Sequence, residues 1–249
     1  MDTLIESEKR IPIIEEADIC VLGGSCTGVF AAVRAARLGA KVVIVEKQNS
    51  FGGVATSGLV NIWHSLMDTE YNKQIIAGLT LETIERLKKR NAAQPVEKNP
   101  DIGFRLNTEE LKIELDELIT EAKIKPYLHT LFVAPYICEN KLNSIIVENK
   151  SGRKAIKAKI FIDATGDGDL CAKVGNPCDN PGKPQPPTCC AKLFGVDSLK
   201  GFNLQQSIHT YGREFGLKED WGWSAIIPDL PDISMHAETH VFDVNCAEA

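Results

Sequence analysis

The stretch Ala17-Asp-Ile-Cys-Val-Leu-Gly-Gly-Ser-Cys-Thr-Gly28 constrains this chain more than any other. Ile19 to Leu22 are apolar without alternation, the pattern of a parallel strand covered on both faces. A glycine turn follows, and Val29 to Leu38 then predicts a thin helix, kept slim by Ala31, Ala32, Ala35 and Ala36. Gly39 is placed to close that helix with a left-handed C-cap. Lys41-Val-Val-Ile-Val-Glu46 is a second apolar strand that ends in a carboxylate. Strand, glycine turn, helix and acid-terminated strand, in that order, read as a dinucleotide-binding βαβ unit.

Each part has a physical task. Gly23 permits the tight turn off the strand, and Gly28 lets the helix pack close to the sheet. The N–H groups at the helix start, from Ser25 through Cys26 to Thr27, face outward with the positive end of the helix dipole, where a pyrophosphate belongs. Glu46 lies about 20 residues past the turn; its carboxylate accepts from ribose hydroxyls and repels a 2′-phosphate. The middle glycine of the usual pattern is replaced by Ser25, whose Cβ costs some room. Gly24 is expected to restore clearance, and the Ser25 hydroxyl to donate to phosphate. The competing reading is a glycine turn in an ordinary α/β protein; strand, helix, second strand and Glu46 together select the nucleotide.

Beyond Glu46 the text continues Lys47-Gln-Asn-Ser-Phe-Gly-Gly-Val-Ala-Thr-Ser-Gly58. Gly-Gly-Ser-Cys-Thr-Gly, then Val-Glu-Lys, then Phe-Gly-Gly-Val-Ala-Thr-Ser-Gly-Leu-Val resembles the FAD-dependent oxidoreductases of the glutathione-reductase-like flavoproteins. The resemblance implies that Glu46 and Lys47 close the ribose end, that Gly52 and Gly53 approach the cofactor, and that Ala55, Thr56 and Ser57 run beside the isoalloxazine. On residues alone the Gly52-Gly53 segment is equally a flexible loop after a strand; its place behind Glu46 favours FAD.

A second signal is Ile160-Phe-Ile-Asp-Ala-Thr-Gly-Asp-Gly-Asp169, an apolar strand ending in Asp163-Ala-Thr-Gly166. It matches the resembling family's strand that returns beside the first βαβ unit and passes the cofactor. Ala164, Thr165 and Gly166 would give backbone access, and Asp167 would bond ribityl or ribose hydroxyls. Asp-Gly-Asp alone suggests calcium, but the further acidic ligands and distal Glu of an EF-hand loop are absent, so no metal site is expected.

Between these signals the chain alternates. Lys73 to Arg90 has a helical apolar stripe, and Asn91 to Pro100 reads as a loop. Asn107-Thr-Glu-Glu110 resembles a capping box that opens a helix to about Ala122, with a solvated charged face from Glu109 to Glu117. Pro126 to Thr130 can supply a third parallel strand. Residues 131–138, 142–148 and 154–158 read as a three-stranded antiparallel meander, at whose entrance the resemblance places an adenine contact on Phe132 or Val133. Leu170 to Gly175 predicts a short helix, and the loop 176–187, with prolines at 177, 181, 184 and 186, a domain boundary. The segment 192–196, a helix near 205–215 and a strand near 236–244 then begin a substrate domain. The expected organisation is a leader at 1–15, a Rossmann-like FAD/NAD(P)-binding α/β domain with parallel sheet and meander at 16–176, and part of a second α+β substrate domain at 188–249.

Composition narrows the function classes. The net charge of −6 without a basic block argues against nucleic acid, and no apolar run is long enough to span a membrane. The start lacks a basic region followed by an apolar core, so no secretory signal is read there. The 8 cysteines form no C-x-x-C pair, which reads as free thiols in a reducing compartment, the cytoplasm. Adjacent Cys189 and Cys190 have no flanking cation and read as inert rather than as a redox pair. Trp221 and Trp223 read as core more readily than as an aromatic wall.

The expected function is an FAD-dependent oxidoreductase acting on a small molecule and an unidentified electron acceptor. His64, beside Trp63, is the one candidate catalytic residue, for proton transfer or for steering an anion; the competing reading is a structural aromatic pair. Alternatives are an NAD-dependent dehydrogenase, which Glu46 suits equally, and a non-catalytic nucleotide-binding remnant. The resembling family has a later Gly-Asp signature and a final helix, neither found after Asp167, so the parent gene is expected to continue downstream.

Overall fold

The computed structural model describes residues 3–97, 99–177, 185–199, 201, 203–216 and 223–242. Prolines 181 and 184, Cys178, Cys246, Trp221 and the end of the last expected strand lie outside these residues.

In chain order the elements open with β1 (Ile13–Leu22), α1 (Cys26–Arg37) and β2 (Val42–Val45). There follow β3 (Ile62–His64), α2 (Leu79–Lys89), β4 (Ala93–Pro95), β5 (Ile102–Leu106) and α3 (Thr108–Glu121). Next come β6 (Lys125–Tyr127), β7 (Leu131–Cys138), β8 (Lys141–Asn149), β9 (Gly152–Asp163) and α4 (Asp169–Lys173). The chain then gives β10 (Thr188–Phe194), α5 (Leu204–Tyr211), β11 (Trp223–Ile227) and β12 (Leu230–His240).

The chain divides into two compact units, 1–49 with 118–177, and 50–117 with 178–249. The dinucleotide region expected to run unbroken over 16–176 is thus interrupted by a segment that belongs to the other unit, and the boundary falls inside α3. β1 also starts at Ile13, within the expected leader, because Ile13 and Glu15 already pair with Ala155 and Ile156 of β9.

The first unit is built on a 6-stranded sheet of order β6-β2-β1-β9-β8-β7. β1 runs parallel to β2 on one side and to β9 on the other, and β6 is parallel to β2. The expected third parallel strand is there, but it is shorter, ending at Tyr127. The expected meander and return strand merge. β9 is one continuous strand that pairs antiparallel with β8 through Lys157 and parallel with β1 as far as Asp163. Sequence showed two strands because Lys157 and Lys159 interrupt the apolar pattern; both lysines pair with carboxylates of β1, Glu16 and Asp18.

One face of the central strands packs on α1, whose Val29, Ala32 and Val33 are fully buried. The other face carries Cys20, Leu22, Val43 and Val45, which join Ile145, Val147, Ile156 and Leu170 in one core. Each fully buried aliphatic side chain of this size contributes about 1.5–3 kcal/mol. α1 ends as its sequence predicts. Gly39, at φ +94°, follows the C-cap Leu38, its N–H donates to Ala36 O, and the Ala40 N–H donates to Ala35 O, the double bond of a Schellman close.

α4 is held to the end of β9 by Asp163. Its carboxylate accepts from the Thr165 hydroxyl (2.7 Å), the Thr165 N–H (3.1 Å) and the N–H groups of Leu170 and Cys171 (2.9 Å each). Burial opposes the charge, but the Cys171 N–H and the Thr165 donors outweigh it and hold the Asp163 carboxyl below its ordinary range.

In the second unit, β3-β5-β4 and β10-β12-β11 form two antiparallel sheets. β3 and β4 lie where the sequence offered a cofactor-side segment and a loop; each pairs with β5. α2 begins at Leu79 rather than Lys73. Asn107 caps α3 as predicted, its Oδ1 accepting from the Glu109 and Glu110 N–H groups, while its Nδ2 donates to the buried Pro228 carbonyl at 3.2 Å. The expected solvated face of α3 is corrected at Glu114, which is buried and bound by Arg90 Nε at 2.6 Å, with Arg90 also reaching Glu110 and Glu117. The sheet β10-β12-β11 packs a small core of Ile227, Met235 and Ala237 with Trp223, the core role read for that tryptophan.

Two outcomes test this account of the fold. Asn107→Ala removes the α3 cap and leaves Pro228 O unpaired, and is expected to lower unfolding stability by about 1–2 kcal/mol in urea titrations. Because its folded pKa is depressed, Asp163 stabilises the fold above its unfolded pKa of about 3.9, and that contribution is lost as pH falls through the lower folded value. Asp163→Asn should therefore cost about 1–3 kcal/mol at neutral pH and lose less stability than wild type on acidification below about pH 4; parallel acid limbs would contradict the assignment.

Candidate functional site

The candidate site lies at the carboxyl ends of β1, β2 and β9. The chain leaves β1 toward β2 on one side and returns through β9 on the other, so these ends form the switch-point crevice of an open parallel sheet. A crevice of about 80 Å3 opens there, lined by Leu22, Gly23, Val45, Glu46, Thr130 and Phe132 among others. At roughly 30 Å3 per water in the liquid, that is room for two or three waters, a groove along which a ligand lies rather than a cavity that encloses one.

The backbone is drawn tightly together at Gly23. Its N–H donates to Val45 O (2.8 Å), and the neighbouring Leu22 O accepts from Ala164 N–H (2.7 Å). A Cβ at Gly23 would collide with the Ala164 carbonyl, and a Cβ at Gly28 would collide with the Gly23 carbonyl. The two glycines therefore fix the spacing between β1, α1 and the segment after β9.

Ser25 is the N-cap of α1: its Oγ accepts from Gly28 N–H at 3.3 Å and donates to Ala164 O at 3.4 Å, so its hydroxyl is used within the fold. Thr27 remains exposed in the first turn, and that turn contains no acidic residue to offset the positive end of the helix. Burial pushes the Cys26 thiol up to about 12, against the pull of its helix-start position.

Glu46 is buried at the end of β2. One oxygen accepts from Gly24 N–H at 2.5 Å and the other from Gln48 N–H at 2.7 Å. Its backbone is tied to the opposite wall, Glu46 N–H to Tyr127 O and Thr130 N–H to Glu46 O. A carboxylate offers about four acceptor positions, so two remain for ribose hydroxyls. Exposed Lys47 also borders the crevice.

Of the expected residues, Gly23, Glu46, Lys47 and Thr165 line the crevice, while Gly24 is tied to it through Glu46, and Ser25, Gly28 and Ala164 are joined to one another at the start of α1. Of the two residues expected at the meander entrance, Phe132 borders the crevice, and the Val133 carbonyl accepts from Lys173 Nζ (2.8 Å). Asp167 is exposed outside it, whereas Asp169 borders it, because Gly166 and Gly168 adopt φ of +90° and +70° and curl the chain between them. Thr130 and Leu131 also line the crevice and were missed, because an apolar pattern cannot show that β6 stops at Tyr127 and turns at His129. The Thr165 hydroxyl is used within the fold, donating to Asp163 and accepting from Asp169 N–H.

The remaining candidates belong to the second unit. Gly53–Ala55 is a tight 3-10 turn rather than a flexible loop, with Gly52 at φ +108° before it. Thr56 is fully buried and donates to Phe51 O at 2.7 Å, so its side chain is structural, while Ser57 stays exposed. His64 ends β3, exposed, with Nδ1 3.2 Å from Asp101 O. Among the described residues no cluster of His, Cys, Asp or Glu could hold a metal ion, and no helix is long and apolar enough to cross a membrane.

The donor set fits the adenosine diphosphate half of a dinucleotide: an uncompensated helix start for the diphosphate and an anchored acid for the ribose. Comparison with known proteins agrees. A mitochondrial dihydrolipoyl dehydrogenase of Schizosaccharomyces pombe is 31% identical over 87 residues, 30% of this chain and 17% of that protein. A thiamine thiazole synthase of Methanococcus vannielii is 24% identical over 160 residues, 61% of this chain and 56% of that protein. The chain therefore spans less than two thirds of these relatives. A glycerol-3-phosphate dehydrogenase from Bacillus halodurans, solved with FAD, shares the fold at TM-score 0.59 and 14% identity, over 95% of this chain and 50% of that one. The model of the FAD dependent oxidoreductase family matches residues 18–243, and the chain belongs to that family.

Proposed function

We propose that this chain binds FAD and forms part of an oxidoreductase acting on a small molecule, with a separate electron acceptor. The observation that carries the reading is the anchored carboxylate of Glu46, bonded to Gly24 N–H at 2.5 Å beside the opening of α1. The Ser25–Gly28 segment receives the diphosphate, Glu46 the adenosine ribose, and the wall at Thr130 and Phe132 the adenine. When bound, the flavin supplies the hydride or electron chemistry. The protein's own part is to hold and orient it: the glycine spacing admits the diphosphate, and Glu46 selects against a 2′-phosphate. By the family resemblance, the Gly52-Gly53 turn and Ala55 to Ser57 follow the flavin, and His64 is the candidate proton-transfer residue. The 8 cysteines without a C-x-x-C pair support a reducing compartment, the cytoplasm.

Purified protein is expected to carry visible flavin absorbance, or to acquire it when FAD is added. Colourless protein that takes NAD instead would replace this reading, and protein that takes neither would leave only a nucleotide-fold remnant. Glu46→Ala should weaken FAD binding by about 1–3 kcal/mol, read by flavin-fluorescence titration on variant protein shown folded by circular dichroism. Unchanged affinity would contradict the ribose contact.

A further inference from the structure

The second unit holds a cleft of about 520 Å3, a volume in the range of small-molecule sites, about 300–1,000 Å3. Strand register explains its floor. Leu193, Ser234 and Ile226 sit side by side across β10, β12 and β11, and Ser224 lies one row along on the same face. The alternate rows carry Met235 and Ala237, which point to the core side. The cleft face is therefore the face this small sheet does not use for its own core.

β5 carries Arg105 to this cleft. The strand is fixed on both edges, Arg105 pairing with Ile62 and Gln94. It is locked further by Asn107, which caps α3 and holds the Pro228 carbonyl between β11 and β12. The arginine is half-buried, its Nε is inaccessible, and no hydrogen bond reaches that atom. None of the described lining residues is acidic. The same unit neutralises its other half-buried guanidinium, Arg86, with Glu82 at 3.0 Å, and spreads Arg90 over Glu110, Glu114 and Glu117. Arg105 has no such counter-charge among the described residues. Two neutral groups that line the same cleft can donate: the Ser224 hydroxyl and the amide nitrogen of Asn203, whose oxygen is taken by Gln206 N–H. Ser234 also lines the cleft, and the remaining lining residues are apolar, among them Leu193, Phe194 and Ile226.

A half-withdrawn cation without a partner is unfavourable, and a guanidinium fork matches a carboxylate in two parallel bonds. We propose that this cleft binds a small organic acid, its carboxylate on Arg105 and its apolar body along Leu193, Phe194 and Ile226. The site stands whether or not the first unit holds FAD, and no redox step is involved in it.

Isothermal titration of the full chain with benzoate, benzamide and inorganic phosphate tests the proposal. Benzoate is expected to bind at least about tenfold more tightly than either of the others. Arg105→Met should lose at least about tenfold in benzoate affinity, with Arg105→Lys intermediate because charge remains without the fork. Phe194 is 81% exposed, so Phe194→Ala keeps the fold and should weaken benzoate a few-fold through the lost apolar wall. Equal binding of benzoate and benzamide, phosphate binding as tight as benzoate, no heat at millimolar benzoate, or unchanged affinity in both Arg105→Lys and Phe194→Ala would each overturn it.

Discussion

The first unit depends on the pinch of backbone at Gly23. Three chain segments converge there: the end of β1, the first turn of α1, and the turn after β9. Side chains at positions 23 or 28 would force them apart, since a Cβ at either meets a carbonyl. With hydrogen at both positions, Ser25 reaches Ala164 and Gly28, and Gly24 reaches Glu46. The sheet order and the open start of α1 follow from this convergence, and so does the acid held beside it. The pinch is thus both a packing device and the means by which a diphosphate can approach backbone rather than side chain.

Much of this was legible because the βαβ unit is local. Its strand, turn, helix and acid lie within about thirty residues, and their residue types are dictated by short-range sterics and by burial on both faces. Gly39, Asn107 and Asp163-Ala-Thr-Gly166 were readable for the same reason: caps and tight turns are set by their own few residues. What was not legible depended on partners distant in sequence. That β9 serves the meander and the parallel sheet at once depends on its backbone pairing with β8 and with β1, more than a hundred residues away. That Glu114 is buried goes with its pairing to Arg90, at the end of α2. That Asp169 borders the crevice turns on two backbone dihedrals, which residue type suggests but does not assign.

The division of the chain follows the same logic. Segment 50–117 begins directly after the nucleotide strand, so its position in the sequence joins it to the first unit, yet its contacts join it to 178–249. Asn107 shows how: one side chain caps α3 and holds Pro228, 121 residues away. A helical pattern in the sequence reveals the cap and not the tie. Arg105 has no signal in the sequence for a similar reason: the cleft it lines is made by strands far along the chain.

The most direct measurement is the amide NMR spectrum of isotope-labelled protein titrated with ADP, the portion of the cofactor assigned to the first unit. Saturable shifts are expected in the N–H signals of Gly24 to Gly28 and Glu46, with Thr130 and Phe132 following. Shifts absent from these residues, or gathered on the second unit instead, would contradict a diphosphate seated at the start of α1.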